Sequence, residues 1–172
     1  MSVFMIILLQ LSVLAYALVG GVFLAFSDFI MRSLARTGGT GGVEAMQAIN
    51  REVFRWVFMA LFLGMAAVSA FIVVYSAMNL SGGPGTLILF GALVYLVGCS
   101  AVTVVFNVPM NEALDGMEVS SEATRAYWTD TYLPRWTLWN TVRAIACTAA
   151  AAMVLFGLIW LPQSHASLVS TP

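Results

Sequence analysis

Four long stretches of this chain carry no ionisable side chain: Val3 to Phe26, Trp56 to Met78, Thr86 to Phe106 and Ala144 to Leu161. A helix rises about 1.5 Å per residue and a bilayer's hydrocarbon core is about 30 Å thick, so roughly 20 apolar residues suffice to cross it. The first three stretches meet that length. The fourth meets it when its helix begins near Pro134 and carries Arg143 in with it. Backbone polar groups find no water inside a bilayer, so such stretches fold as spanning helices. Composition agrees: 61% of the residues are hydrophobic, 9% are charged and the mean hydropathy is +0.95, where soluble domains are about a quarter charged. The first stretch lacks a basic start and runs into "AFSDF" instead of a small-residue cleavage site, so it reads as a span and not a signal peptide. The expected fold is all-α, a four-transmembrane-helix bundle forming one integral membrane domain over residues 1–172. Spans are expected at about 3–26, 56–78, 86–106 and 136–161, with short amphipathic cytoplasmic helices within about 27–55 and 107–135.

Charge gives the orientation. A formal net charge of −1, with no lysine at all, excludes nucleic acid and other polyanions as partners. Arg32, Arg36, Arg51 and Arg55 lie between the first two spans, and Arg125, Arg135 and Arg143 lie before or just inside the fourth. The positive-inside rule then puts both polar segments in the cytoplasm and both termini outside, in a multi-pass protein of the cell membrane. "SGGPG" predicts a tight turn that makes spans two and three antiparallel neighbours, and "GGTGG" ends the helical continuation of span one. Tyr127, Trp128 and Tyr132 suit the headgroup level. Pro109, in "NVPMN", has no N–H to donate and predicts a helix break at the inner end of span three, with Asn107 and Asn111 free either to cap the two halves or to face a ligand.

The polar residues of the spans gather in one layer. In "RWTLWNTVR", residues 135–143, a turn of about 100° per residue places Trp136, Trp139, Asn140, Arg143 and Cys147 on one face. An interfacial belt explains the tryptophans alone. It explains Arg143 less well, because a guanidinium at the centre of a span costs roughly 2.5 to 3.5 kcal/mol unless it snorkels or is partnered inside the bundle. "AFSDFIM" brings Asp28 to the same level, and "AMQAINREVF" brings Gln47, Asn50, Arg51 and Phe54 on one face. Taken singly, Asp28 and Arg51 read as solvated loop charges; four helices supplying the same layer read as a site.

In that order, "FSDFIMRSL", "MQAIN", "NVPMN" and "WTLWNTVR" resemble the anthrone-oxygenase-like family of small integral membrane proteins, over roughly Gly20 to Leu161. The N-x-P-x-N and W-x-x-W-N-x-x-R pieces are the specific part. The resemblance implies a four-helix membrane fold and, for the characterised fungal relatives, oxidation of an anthrone to an anthraquinone by O2. Within that reading Asp28 is the candidate base. Arg143, Asn140, Asn107 and Asn111 would hold the developing oxyanion, while Asn50, Trp136 and Trp139 would bind the ring system. No metal and no cofactor is expected: the only histidine, His165, lies in the C-terminal tail, and the chain holds neither G-x-G-x-x-G nor a phosphate loop. The expected partners are the lipid bilayer and a lipophilic aromatic small molecule. Two rival readings share these residues: a binder or transporter of a lipophilic quinone, and a structural subunit in which Arg143 pairs with Asp28 or Glu112 to fix helix register. Cys99 and Cys147 fall at similar depth and read as small buried hydrophobes. Gly20 with Gly21, and Gly91 with Gly98, permit close packing inside a monomer or across a homo-oligomer interface.

Overall fold

The computed structural model describes residues 1–53, 55 and 57–169, with side chains as far as Leu161. Phe54, Trp56 and the side chain of His165 lie outside the described residues. The chain is all-helical: α1 (Val3–Ala35), α2 (Gly41–Glu52), α3 (Val57–Asn79), α4 (Gly82–Asp115) and α5 (Glu122–Leu161), whose last helical turns continue to Val169. All but α2 are long and apolar enough to cross a membrane, which makes this a multi-pass membrane protein. With 33, 34 and 40 residues, α1, α4 and α5 exceed the roughly 20 that a crossing needs. Their surplus turns run on into a cap beside α2.

α5 packs along both α1 and α4, α3 packs mainly on α4, and α3 lies across the bundle from α5. The expected hairpin is present, although its turn is Leu80–Ser81 and "GGPG" already belongs to α4; Gly82 enters the helix at φ +72°, a conformation that a side chain would strain. The small residues are used inside the bundle. A Cβ added at Gly98 would lie 2.6 Å from the Ala146 Cβ, one at Gly91 2.9 Å from Val154, and one at Gly20 3.0 Å from Cys147, whereas Gly21 faces open space. Dispersion at this close range substitutes for a hydrophobic drive that lipid does not supply. Cys99 and Cys147 are buried near one another between α4 and α5, as free cysteines. Tyr16 stacks on Tyr95 with ring centroids 4.6 Å apart and shares a 2.6 Å hydrogen bond with Ser69, tying α1, α3 and α4 together.

The cap has a core of its own, built from Met31, Val43, Met46, Leu114, Trp128 and Tyr132. Gln47 Nε2 donates to the carbonyls of Leu114 and Met117, fastening α2 to the end of α4. Trp128 and Tyr132, expected at the headgroup level, are instead buried in this second core, because α5 begins at Glu122 and carries them inward over α2. The break expected at Pro109 is also absent. Two π-helical turns, Leu96–Ala101 and Thr103–Asn107, precede it, and the Val108 N–H reaches back to the Thr103 carbonyl. The wider turn gives the pyrrolidine ring room and α4 continues through it; Asn107 caps nothing. Further π turns occur at Phe26–Ile30 in α1 and Trp128–Tyr132 in α5.

Overfilling the α4–α5 contact should therefore be costly. Gly98→Val is expected to lower stability by about 1 to 3 kcal/mol, and Gly21→Ala should not lower it. Thermal unfolding in detergent checks this, and equal melting of the two variants would contradict the close approach.

Candidate functional site

Arg143 sits at the centre of the site. "WTLWNTVR" places Trp136, Asn140 and Arg143 at i, i+4 and i+7 on the inward face of α5, and Arg143 is only 5% exposed. One terminal nitrogen donates to Thr103 Oγ1 at 3.2 Å and the other to Asn140 Oδ1 at 2.7 Å. The guanidinium carbon lies 4.1 Å from the centre of the Phe23 ring and 5.4 Å from that of Trp136. Such cation–π contacts reach about 2 kcal/mol when desolvated. Among the described residues the guanidinium has no carboxylate partner, and its Nε–H has no hydrogen bond. Asn140 holds it in place: its Nδ2 donates to the Phe23 carbonyl at 2.6 Å and to Ser27 Oγ at 2.7 Å, which leaves Oδ1 turned to Arg143.

A second cluster lies one turn toward the cap. Asn111 Oδ1 accepts from Tyr132 Oη at 2.8 Å and from Trp136 Nε1 at 2.7 Å, while Asn50 Nδ2 donates to the same tyrosine at 3.4 Å. Two donors on one oxygen fix the orientation of the amide. Among the described residues Asn111 Nδ2 donates no hydrogen bond, and Asn111 lines the cavity.

Both clusters line one end of a cavity of about 250 Å³. The remainder of its wall is aromatic and aliphatic, chiefly Phe23, Phe26, Phe58, Met59 and Phe62. This is the build of a small-molecule site, apolar with a few convergent polar groups. Val22, Leu63 and Val104 line it and are also 40%, 58% and 65% exposed on the outer surface of the bundle, so the cavity opens sideways among the first three spans. At the cap end it meets a polar recess that shares Asn50, Val108 and Asn111 and holds the 2.5 Å ion pair of Arg51 with Asp115. No group of three His, Cys, Asp or Glu side chains converges as a metal-ligand set among the described residues. What converges is guanidinium, amide and hydroxyl.

Of the residues read from sequence, Asn50, Asn111, Trp136, Asn140 and Arg143 meet at this cavity, and three do not. Asp28 is 65% exposed and pairs with Arg32 at 2.9 Å; Ser27 is the residue turned inward to Asn140, and its neighbour is rotated away by roughly a quarter turn. Asp28 is therefore not placed to act as a base, and neither it nor Glu112 pairs with Arg143. Trp139 stacks on Phe106 with centroids 3.6 Å apart, off the cavity lining. Asn107 is buried and donates through Nδ2 to the Trp136 carbonyl at 3.3 Å, joining α4 to α5. Thr103 and Tyr132 were missed. No regular spacing signals Thr103, because it opens the π turn Thr103–Asn107; for Tyr132 the interfacial reading of its aromatic ring hides a hydrogen-bonding role.

A family model described as anthrone oxygenase matches residues 51–153, which take in α3, α4 and α5 to within the fourth span. Thr103, Asn111, Trp136, Asn140 and Arg143 fall inside the matched stretch; Phe23, Ser27 and Asn50 precede it. No curated protein and no solved structure matches the chain. The matched stretch covers more than half of the sequence and the whole of the Trp–Asn–Arg stripe, and the chain belongs to the anthrone oxygenase family.

Proposed function

We propose that this protein is a membrane-embedded oxygenase that oxidises an anthrone-like or related polycyclic phenolic substrate with O2 and without a cofactor. The observation that carries the proposal is a buried guanidinium with no carboxylate partner, at the polar end of an aromatic-lined cavity open to the lipid-facing surface. A doubly benzylic C–H beside a carbonyl is acidic enough to lose its proton and leave a phenolate-like anion, which passes an electron to O2 directly. Recombination forms a C–O bond and, after protonation, a hydroperoxide. Loss of the remaining C–H proton and of hydroxide from the O–O bond gives the quinone carbonyl and water. One O2 is consumed per quinone, with one oxygen atom kept and one leaving as water.

In this scheme Arg143 and Asn111 hold the oxyanion, supported by electrostatic preorganisation in a water-poor site. Asn140 and Thr103 position the guanidinium, Tyr132 orients Asn111, and Trp136 with Phe23 forms the flat wall. The arginine distribution supports a cell-membrane protein with the cap in the cytoplasm and both termini outside. A second reading, a binder or transporter of a lipophilic quinone, draws on the two openings of the same cavity, one sideways to lipid and one toward the polar recess.

Purified protein given an anthrone under air should form quinone and consume oxygen in equal amounts, above a protein-free blank. Arg143→Ala is expected to lose roughly 100- to 1,000-fold in turnover, the scale of a removed oxyanion donor. Asp28→Asn and the remote Trp160→Ala should keep it. Equal losses in all three would refute the role given to Arg143, and no rate above the blank from folded protein would refute the oxygenase. Raised thermal stability with added quinone but no oxygen uptake would instead establish the binder.

A further inference from the structure

We infer that the cavity takes up its ligand as a preformed anion, a planar lipophilic phenolate or enolate that is itself the counter-ion of Arg143. The inference rests on the aromatic-ligand reading above, though not on oxidation.

Arg143 is the only buried charged side chain among the described residues. Its hydrogen bonds go to the neutral oxygens of Thr103 and Asn140. The titratable groups that face it are the thiols of Cys99 from α4 and Cys147 from α5 and the phenol of Tyr132, with no carboxylate. α1 presents the Phe23 ring and α2 presents Asn50 to this layer. No carboxylate lines the cavity itself among the described residues: Asp28, Glu52, Asp115 and Glu122 pair with surface arginines, and the adjoining recess holds Glu112 beside Arg51, Arg55 and Asp115.

The polar end of the cavity carries one positive charge among neutral amides, with Asn50 Oδ1 as an acceptor beside the donors. The Arg143 Nε–H is buried without a hydrogen bond, and among the described residues Asn111 Nδ2 donates none. A neutral phenol brings no charge to this end, whereas a phenolate brings an oxygen with only acceptor capacity and the missing negative charge. No side chain within the cavity is then required to remove a proton. The substrate's O–H, or the C–H of its keto tautomer, gives its proton to water on the aqueous side of the interface, and the anion's oxygen is stabilised on reaching the guanidinium.

The probe is 2-hydroxyanthraquinone, a flat tricyclic phenol already oxidised at its central ring, whose phenolate absorbs at longer wavelength than the phenol. Bound to the full-length protein in neutral-detergent micelles, it should ionise at a pH at least about one unit below its value in empty micelles, equivalent to about tenfold preference for the anion. Its methyl ether, which cannot ionise, should bind at least about tenfold more weakly. Arg143→Gln should abolish the shift and the surface variant Glu122→Gln should retain it. An unshifted ionisation in the wild-type protein, or equal binding of the methyl ether, would overturn the inference whether or not the Arg143 variant folds. Preferential anion binding without oxygen uptake on an anthrone would uphold the inference and remove the oxygenase step; oxygen uptake without anion preference would do the reverse.

Discussion

A guanidinium withdrawn from water inside a membrane bundle is the constraint around which the rest of this molecule is arranged. An intramembrane arginine persists only where the surrounding protein replaces its hydration. Here that replacement comes from three elements: a hydroxyl from α4, an amide carbonyl from its own helix one turn earlier, and ring faces from α1 and α5. The amide in turn is held by the backbone of α1 and by Ser27. Moving any one of these helices by a fraction of a turn would strand the charge. The close α1–α5 and α4–α5 packing that glycine and alanine permit keeps those helices in register.

The π-helical turns belong to the same arrangement. α1, α4 and α5 each carry at least one, and those of α1 and α4 lie at or next to the polar layer. An extra residue in one turn rotates everything beyond it relative to everything before it, so a helix whose outer half is patterned for lipid can present a differently oriented face at the cap. In α1 this is where Ser27 turns in and Asp28 turns out. In α4 it is where Thr103 and Asn111 reach the cavity while Asn107 between them reaches the Trp136 backbone.

These turns also explain which parts of the structure were legible in the sequence. The four spans were, because a long run without charge has few other ways to fold. The Trp136, Asn140 and Arg143 stripe was, because it lies on regular α-helix where 3.6-residue spacing holds. Asp28, Asn107 and the break at Pro109 were misjudged for one shared reason: each sits in or beside a π turn, where ordinary spacing fails and a proline can be accommodated. Trp128 and Tyr132 were misjudged for another. Aromatic residues near a span's end suit an interfacial belt equally well, and only the docking of α2 by Gln47 turns their surroundings into a core.

The residue types in the layer then acquire a meaning beyond polarity. Asn50, Asn107, Asn111 and Asn140 are all amides, and among the described residues no carboxylate lines the cavity. Amides can orient a guanidinium and one another through hydrogen bonds while adding no charge, so the layer keeps the single positive charge of Arg143. An aspartate at position 140 would lose the donor that Asn140 gives the Phe23 carbonyl, and would face the guanidinium as an ion pair worth about 4 kcal/mol at 4 Å with the effective dielectric of a protein site. An incoming anion would have to compete with that pair, a handicap of about a thousandfold in affinity. Partnering the arginine with neutral oxygens stabilises its position while leaving its charge unspent, which is the condition a site for an anionic, lipid-soluble aromatic requires.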